Sequence, residues 1–350
     1  MQEAAKVKPR VPDGLHYPFA EPPLPGELQE VATGVYWLRM PLPFALEHIN
    51  LWLLADGDGW TIVDCGFGTD ETRALWQQIF AANLDGKSVT RIVVTHFHPD
   101  HFGLAAWLAD YWRAPVHMAA PEFAAAQGWF AARELHRRDA HVAMFREHGL
   151  ELAADEPLHR QNLFKRGVPA LPSAIVDLHD GQQLTVNGRD WRVVTGYGHS
   201  PEHAALYCGE LGVLIAGDMV LPRISTNVSV QPYAPDADPL GRFLDSLTRY
   251  ADLAADTLVL PSHGLPFRGL RERIAALKAH HAARLDELLV ACAKPHTGAQ
   301  MMPVIFKRAL DAQQMLFAMG ETLSHINYLH CRGQLQRAQG DDGIYRYARV

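Results

Sequence analysis

The stretch Thr95-His96-Phe97-His98-Pro99-Asp100-His101-Phe102-Gly103 decides how the 350-residue chain is interpreted. It places three histidines and one aspartate within six positions, directly after the apolar run Arg91-Ile92-Val93-Val94. The apolar run predicts a short buried strand, and the residues after the cluster have helical spacing. We therefore expect the polar side chains where a strand ends and a helix begins, which is where α/β proteins form ligand sites.

The spacing of these side chains favours metal binding. His96 and His98 are two residues apart and point to the same side of an extended backbone, while Asp100 and His101 can aim at a second point from the turn. Imidazole and carboxylate groups are ligands for zinc, manganese and iron. An open catalytic ion takes only about three protein ligands, so the cluster predicts two ions. A merely polar or pH-sensitive turn is the alternative, and it suits a lone histidine better than this motif.

The motif THFHPDHFG resembles the metal-binding signature of the metallo-β-lactamase superfamily. The resemblance predicts further ligands downstream, and three more polar residues follow apolar, strand-like runs in the expected order. These residues are His199 after Trp191–Thr195, Asp218 after Val213–Ala216 and His263 after Thr257–Leu260.

The resemblance implies seven metal ligands in two groups. On this basis His96, His98 and His199 hold one ion, Asp100, His101 and His263 hold the other, and Asp218 bridges them. The resemblance also gives a role to Asp64, which ends the strand Trp60–Val63 and would hydrogen-bond the metal-binding loop or a ligand histidine. The alternative for Asp64 is a cap on the helix that follows.

The resemblance implies an α/β fold, a four-layer αββα metallo-β-lactamase-like sandwich with a small C-terminal helical, winged-helix-like domain. Residues 1–27 are rich in proline and predict an irregular N-terminal arm. Residues 28–268 are expected to form the catalytic domain, with a helical insertion at 121–172 over the mouth of the site. In residues 269–350, the apolar spacing predicts three helices, at 271–292, 301–310 and 313–332, followed by a hairpin at 333–350. This order of elements resembles the C-terminal domain of some hydrolases in this superfamily.

Composition narrows the function further. Hydrophobic residues make up 48% of the chain, charged residues 20%, and the net charge is −7, so no basic surface for a polyanion is indicated. The four cysteines are far apart and form no C-x-x-C pair, which fits a reducing compartment. Residues 1–17 have no apolar stretch typical of a secretory signal, and no run of about 18 apolar residues predicts a membrane span. We expect a cytoplasmic protein with no membrane association.

The first functional hypothesis is a binuclear metal-dependent hydrolase that is similar to glyoxalase II. The resemblance implies that a metal-held hydroxide attacks a carboxylic thioester or ester, with Asp100 and Asp218 as catalytic residues and two divalent ions, zinc first and iron or manganese as alternatives. Asp100 would orient the hydroxide or pass its proton to the leaving group. The expected partner is a small-molecule substrate rather than nucleic acid, and a homo-oligomer is left open.

Other functions remain open at this point. A lactonase, or a phosphodiesterase or nuclease, could use the same ligands, and Tyr197 or Tyr233 could then donate to an oxyanion. His203 is either a substrate contact in the pocket wall or a core histidine. Mononuclear iron sulfur dioxygenases share this fold but leave the second site empty, whereas the chain has all the residues of that site. A metal-stabilised module that binds nucleic acid through its C-terminal arginines is the non-catalytic alternative.

Overall fold

The computed structural model describes residues 14–44, 46–131, 134–151 and 163–350, without the side chains of residues 134–138, 163, 312 and 313. The strands in these residues are β1 (Gln29–Ala32), β2 (Val35–Pro41), β3 (His48–Asp56), β4 (Gly59–Val63), β5 (Ser88–Val93), β6 (Val116–Met118), β7 (Val176–Asp177), β8 (Gln183–Val186), β9 (Arg189–Gly196), β10 (His203–Cys208), β11 (Val213–Gly217), β12 (Leu258–Pro261), β13 (Leu335–Gln339) and β14 (Tyr345–Arg349). The helices are α1 (Asp70–Asn83), α2 (Pro99–Phe102), α3 (Ala105–Trp112), α4 (Ala120–Ala131), α5 (Glu134–Glu147), α6 (Leu163–Gly167), α7 (Pro239–Ala251), α8 (Leu270–Ala291), α9 (Gly298–Ile305) and α10 (Ala312–Cys331).

The first sheet has the strand order β1-β2-β3-β4-β5-β6-β7. Its first four strands pair antiparallel, and β4 to β7 pair parallel. All five residues of β4 are buried, because the strand is covered on both faces. The parallel pairing of β4 with β5 brings their carboxyl ends to the same edge, so Asp64 and the histidine motif emerge side by side.

The second sheet has the order β12-β11-β10-β9-β8 and is antiparallel except for the β11–β12 pair. Asn187 and Gly188 join β8 to β9 with φ angles of 50° and 72°, the positive values that a two-residue hairpin turn requires. The turns that follow β9, β11 and β12 carry His199, Asp218 and His263. These turns open on the same edge of the molecule as the histidine motif.

Apolar side chains explain the stacking of the layers. Trp37, Trp52 and Trp191 are buried in a cluster between the two sheets. A second cluster joins the first sheet to α1 and α3, and a third joins the second sheet to α7 and α8. The order helix, sheet, sheet, helix confirms the predicted αββα sandwich.

The C-terminal elements are three helices followed by the β13–β14 hairpin, as predicted. The helix predicted over 301–310 instead begins at Gly298 and ends at Ile305. It begins earlier because Thr297 and Gln300 form a capping box. Side chains of α10 and β14 belong to the same apolar cluster as those of β9 and β11. The C-terminal elements therefore share a core with the second sheet.

The predicted arm and insertion are only partly described. Residues 14–27 form turns and irregular backbone, and residues 1–13 lie outside the described residues. The insertion predicted at 121–172 contains α4, α5 and α6, and residues 132–133 and 152–162 of it lie outside the described residues. No helix in the described parts is long and apolar enough to cross a membrane.

Candidate metal centre

Seven candidate ligands from four segments of the chain meet at one edge of the sandwich. Their donor atoms form two groups, and within each group the atoms lie within 4.8 Å of one another. We call His96, His98, His199 and Asp218 the first group, and Asp100, His101 and His263 the second group. These are the residues that the sequence predicted, and the structure brings all of them together.

The first group is made of ring nitrogens that face one another. His96 Nε2 lies 2.9 Å from His98 Nδ1 and 3.2 Å from His199 Nε2. His199 Nε2 also lies 3.3 Å from Asp218 Oδ2. Neutral imidazole nitrogens carry lone pairs, so nitrogens that converge in this way suit a cation between them.

The second group pairs imidazoles with carboxylates. His263 Nε2 lies 3.4 Å from Asp100 Oδ2, and His101 Nε2 lies 3.8 Å from the same oxygen. Asp218 Oδ1 lies 3.5 Å from His101 Nε2 and 3.6 Å from His263 Nε2. One oxygen of Asp218 thus faces each group.

Asp64 supports the histidine motif from behind. Its carboxylate accepts from the backbone N–H of Thr95 at 2.8 Å and from the Thr95 hydroxyl at 2.9 Å, and it lies 2.8 Å from His101 Nδ1. Asp64 has a φ of 64°, which is costly for a residue other than glycine. The strained turn aims the carboxylate at His101, so the ring keeps Nε2 for the second group.

Backbone carbonyls orient two further rings. His199 Nδ1 lies 2.7 Å from the carbonyl oxygen of Asn227, and His263 Nδ1 lies 3.0 Å from that of His48. In each ring the nitrogen bound to the carbonyl is the protonated donor, which leaves Nε2 as the free acceptor.

Asp218 is held by contacts with the start of β10 and with the turn after β12. The Ser262 hydroxyl donates to Asp218 Oδ1, and the Asp218 backbone N–H donates to His203 Nε2 at 3.2 Å. A side chain at Gly217 would place its Cβ 2.3 Å from His203 Nε2. Glycine at this position therefore allows the ring to pack directly beneath the aspartate.

Burial and neighbouring charges separate the pKa values of the two groups. Burial, followed by the surrounding imidazoles, lowers the pKa of His96 well below its ordinary value, and burial with the nearby His199 lowers the pKa of His98 to about 3. Burial alone would lower the pKa of His101 too, but the carboxylates, Asp64 first, raise it well above its ordinary value. Burial alone would lower the pKa of His263 as well, but the neighbouring carboxylates, with the Asp218 charge first, raise it above its ordinary value.

The residues fit a divalent cation. The buried Nε2 of His101 has no hydrogen-bond partner among the residues that the structure describes, which is costly unless a ligand satisfies it. Histidine nitrogens and carboxylate oxygens are the donors that zinc, manganese and iron accept in proteins. The first group offers three nitrogens and one carboxylate oxygen, and the second offers two nitrogens and one carboxylate oxygen.

Comparison with known families agrees with this geometry. A model described as the metallo-β-lactamase superfamily matches residues 45–263, more than half of the chain. The chain belongs to the metallo-β-lactamase superfamily. A second model, described as a metallo-β-lactamase-like C-terminal domain, matches residues 285–350.

A solved metallo-β-lactamase-fold structure resembles nearly the whole chain. The β-lactamase domain protein from Burkholderia ambifaria is 52% identical, covers 96% of this chain and 97% of its own, and superposes with a TM-score of 0.88. The metallo-β-lactamase family protein TTHA1429 from Thermus thermophilus is 34% identical over 92% of this chain and 100% of its own, with a TM-score of 0.77. Both likenesses cover more than 90% of this chain, so they extend into the C-terminal residues 269–350.

A curated relative carries a hydrolase name. "Probable metallo-hydrolase YqjP" of Bacillus subtilis (strain 168) is 26% identical over 301 residues, which are 83% of this chain and 91% of that protein. With the superfamily match and the clustered metal donors, this similarity makes the chain a metallo-hydrolase of the metallo-β-lactamase superfamily.

The three predicted substrate contacts of this metallo-hydrolase occupy different environments. His203 is 0% exposed and lies under Asp218, with its ring centroid 4.9 Å from that of His96, so it is a core histidine and not part of a pocket wall. The Tyr197 hydroxyl donates to Glu202 at 3.3 Å, and Arg242 lies over its ring. Tyr233 is 72% exposed. Partial burial of its hydroxyl, and then the charge of Glu122, raise its pKa.

Several residues around the candidate ligands were not predicted. The Asn50 side chain donates to the carbonyls of Pro261 and Gly264, both at 2.8 Å, and so fixes the turn that carries His263. Glu122 is 0% exposed and contacts the turns of both His98 and His199. Burial raises the pKa of Glu122, although three donors oppose this shift. Neither residue belongs to a local motif, since their partners lie 25 or more positions away.

Proposed function

We propose that the centre is binuclear and that this hydrolase cleaves a carboxylic thioester or ester. The observation that carries the binuclear assignment is the position of Asp218. Its Oδ2 lies 3.3 Å from His199 in the first group, while its Oδ1 lies 3.5 Å from His101 in the second. A carboxylate with one oxygen toward each group is suited to bridge two cations.

In this proposal the first and second groups hold one divalent cation each and share Asp218. When bound, the cations lower the pKa of a water ligand and polarise the carbonyl oxygen of the substrate. Asp64, Asn227 and His48 orient the ligand rings by the hydrogen bonds described above. They act before substrate arrives, so the rings need no reorganisation during the reaction.

Asp100 is the proposed proton carrier. Its side chain is 14% exposed, whereas the side chain of the neighbouring His101 is 0% exposed. A carboxylate at the open side of the group can accept a proton from the attacking water and return it to the leaving group. Cys65 is unsuited as a nucleophile, because burial and the Asp64 charge raise the pKa of its thiol well above the ordinary value.

Two relatives support the choice of a thioester. The acyl-coenzyme A thioesterase MBLAC2 of Bos taurus is 24% identical over 272 residues, which are 73% of this chain and 86% of that protein. The atrochrysone carboxyl ACP thioesterase of Aspergillus fumigatus is 22% identical over 79% of this chain and 52% of that protein. Thioester cleavage is thus proposed for this chain from its similarity in sequence to these two relatives and from its own candidate metal donors.

Other substrates on the same centre are weaker candidates. A lactonase is favoured only by the exposed Tyr233, whose hydroxyl could donate to an oxyanion. Nucleic-acid cleavage is disfavoured because three arginines near the C-terminal hairpin already pair with aspartates, each at 2.6 Å. These pairs are Arg332–Asp238, Arg337–Asp236 and Arg346–Asp342. A mononuclear sulfur dioxygenase is disfavoured because Asp100, His101 and His263 form a complete second group.

The proposal also covers the metal, the location, the domains and the kind of substrate. Zinc is the proposed metal, with iron or manganese as alternatives, and the proposed location is the cytoplasm. A catalytic domain at 28–268, a C-terminal domain at 269–350 and a small-molecule substrate are part of the same proposal. A homo-oligomer is compatible with it.

A substrate panel on metal-loaded protein tests the proposed reaction. Protein stripped of metal and reloaded with Zn²⁺ would be assayed on acyl-coenzyme A and other thioesters, carboxylic esters, lactones and phosphodiesters, with the stripped protein as control. We expect thioesters or esters to be turned over fastest and only by loaded protein. Faster turnover of phosphodiesters or lactones would contradict the substrate assignment, and oxygen consumption by iron-loaded protein would contradict hydrolysis.

A further inference from the structure

A buried carboxylate lies between the two turns that supply the histidines of the first group. Glu122 belongs to α4, outside both sheets, and its side chain is not one of the candidate ligands. It is 0% exposed. A buried carboxylate needs several donors to be stable, so the identity of its donors indicates what it holds in place.

Within the described part of the chain, the three donors to Glu122 come from turns that carry candidate ligands. Oε2 accepts from the backbone N–H of Phe97 at 3.0 Å, and Phe97 lies between His96 and His98. Oε1 accepts from the Ser200 hydroxyl and from the Glu202 N–H, both at 2.6 Å, and Ser200 directly follows His199. The side chain thus connects a turn of the first sheet to a turn of the second.

The turn that carries His199 depends on such a contact. Gly198, directly before the histidine, has a φ of 94°, and a Cβ there would lie 2.2 Å from the carbonyl oxygen of Pro239. Glycine is needed for this path but adds no rigidity of its own. Hydrogen bonds from outside the turn must therefore fix how far His199 stands from His96 and His98.

We infer that Glu122 is a positioning residue that sets the spacing between His199 and the His96–His98 pair, and so the affinity of the first group for a divalent cation. The inference rests on the proposed assignment of the first group as a metal site. Partners that orient metal ligands change metal affinity by about 10- to 100-fold when they are mutated. A purely structural Glu122 would affect unfolding and leave metal affinity unchanged.

Two variants separate these roles. Glu122→Gln keeps the shape of the side chain, but its single amide oxygen cannot accept from donors on both sides. Ser200→Ala removes one donor and leaves the carboxylate in place. Asp56→Asn is the matched control, because Asp56 also connects the two sheets, through the Thr61 hydroxyl and the Asn187 N–H, both at 2.9 Å. Asp56 is the last residue of β3, and neither of these two contacts involves a candidate ligand.

Zn²⁺ affinity of metal-stripped, full-length protein, measured by competition with a chromophoric chelator, is the readout. We expect Glu122→Gln to weaken one Zn²⁺ equivalent by about 10- to 100-fold and Ser200→Ala to weaken the same equivalent less. Asp56→Asn should lower the unfolding temperature and keep wild-type Zn²⁺ affinity. If Glu122→Gln does not fold, Ser200→Ala decides the question by the same measurement.

Wild-type Zn²⁺ affinity in Glu122→Gln, or in Ser200→Ala where the first variant does not fold, would overturn the inference. That result would leave the proposed function intact. Failure of the wild-type protein to bind Zn²⁺, in contrast, would contradict the proposed metal site itself. The two outcomes are distinguished by measuring the wild type first.

Discussion

The first and second groups of candidate ligands differ in the charges that lie beside their histidines. In the first group, ring nitrogens of His96, His98 and His199 lie 2.9 and 3.2 Å apart with a single carboxylate beside them. In the second group, the nitrogens of His101 and His263 face carboxylate oxygens at 3.4 to 3.8 Å. Without a cation the first group leaves lone pairs opposed, whereas the second pairs opposite charges internally.

The two groups also differ in the residues that hold them in place. The first group is held by neutral or distant partners, the Asn227 carbonyl and Glu122, which fix positions. The second group has a carboxylate in direct contact with a ligand ring, Asp64 on His101. The contacts of the first group therefore act mainly by fixing the positions of its histidine rings, whereas the contact of the second group acts mainly through charge. We expect a variant of either support to change the metal affinity of one group only.

Removal of the shared carboxylate should have the largest effect. Asp218→Ala takes an oxygen from both groups, so we expect loss of metal from both and a fall in turnover of about 10³-fold or more, as for loss of several kcal/mol of transition-state stabilisation. Elemental analysis and the thioester assay on one sample measure both quantities. Full metal content in this variant would show that Asp218 is not shared.

Removal of a ligand from the second group alone should have a more selective effect. His263→Ala should lose one metal equivalent and most turnover, while the first group keeps its ion. The exposed His179 provides a control, since His179→Ala removes an imidazole away from the centre. Elemental analysis of both variants is the measurement, and two retained equivalents in His263→Ala would mean that the residue is misassigned.

The support behind the second group is expected to matter less than a ligand. Asp64→Asn keeps the shape of the side chain but removes the charge next to His101 and one acceptor, so the affinity of the second group for Zn²⁺ should fall by about 10- to 100-fold. Chelator competition can compare this variant with Glu122→Gln. If both variants weaken the same Zn²⁺ equivalent, the claim that the two supports act on different groups is wrong.

The smallest effect on the metal centre is expected from a change at Glu321 of α10, whose carboxylate accepts from the Asn227 side chain at 3.3 Å. Burial raises the pKa of Glu321 to about 7, from 4.5. The folded protein therefore holds this proton more tightly than the unfolded chain, and the resulting stability is complete below the unfolded pKa and is lost as pH rises through about 7.

Glu321→Gln should remove this pH dependence. We expect the free energy of unfolding to rise by about 1–3 kcal/mol near pH 8, and by less near pH 5. Urea denaturation at both pH values measures it, with the exposed Glu151→Gln as control. Equal stability changes at the two pH values would contradict the assigned pKa.

The candidate ligands could be proposed from the sequence because the histidine motif resembles a family signature and each candidate lies just past an apolar strand. The resemblance pointed to His199, Asp218 and His263, and the αββα layers followed from the same resemblance. The helix α9 was misplaced at both ends although the Thr297–Gln300 capping box was present in the sequence.

The supporting contacts could not be predicted, because they join residues far apart in the chain. Glu122 meets Ser200 across 78 positions, and Asn50 meets Pro261 across 211. The burial of His203 could not be predicted for a similar reason. Its position shortly after a glycine-rich segment gave no sign that the ring packs beneath Asp218, where only Gly217 leaves room for it.

The most direct test of the central claim is the number of metal ions in the wild-type protein. Elemental analysis of protein loaded with Zn²⁺ and freed of excess metal should give two equivalents per chain, one for each group with Asp218 shared. A single equivalent would contradict the binuclear centre and leave the second group as imidazoles that face carboxylates without a cation.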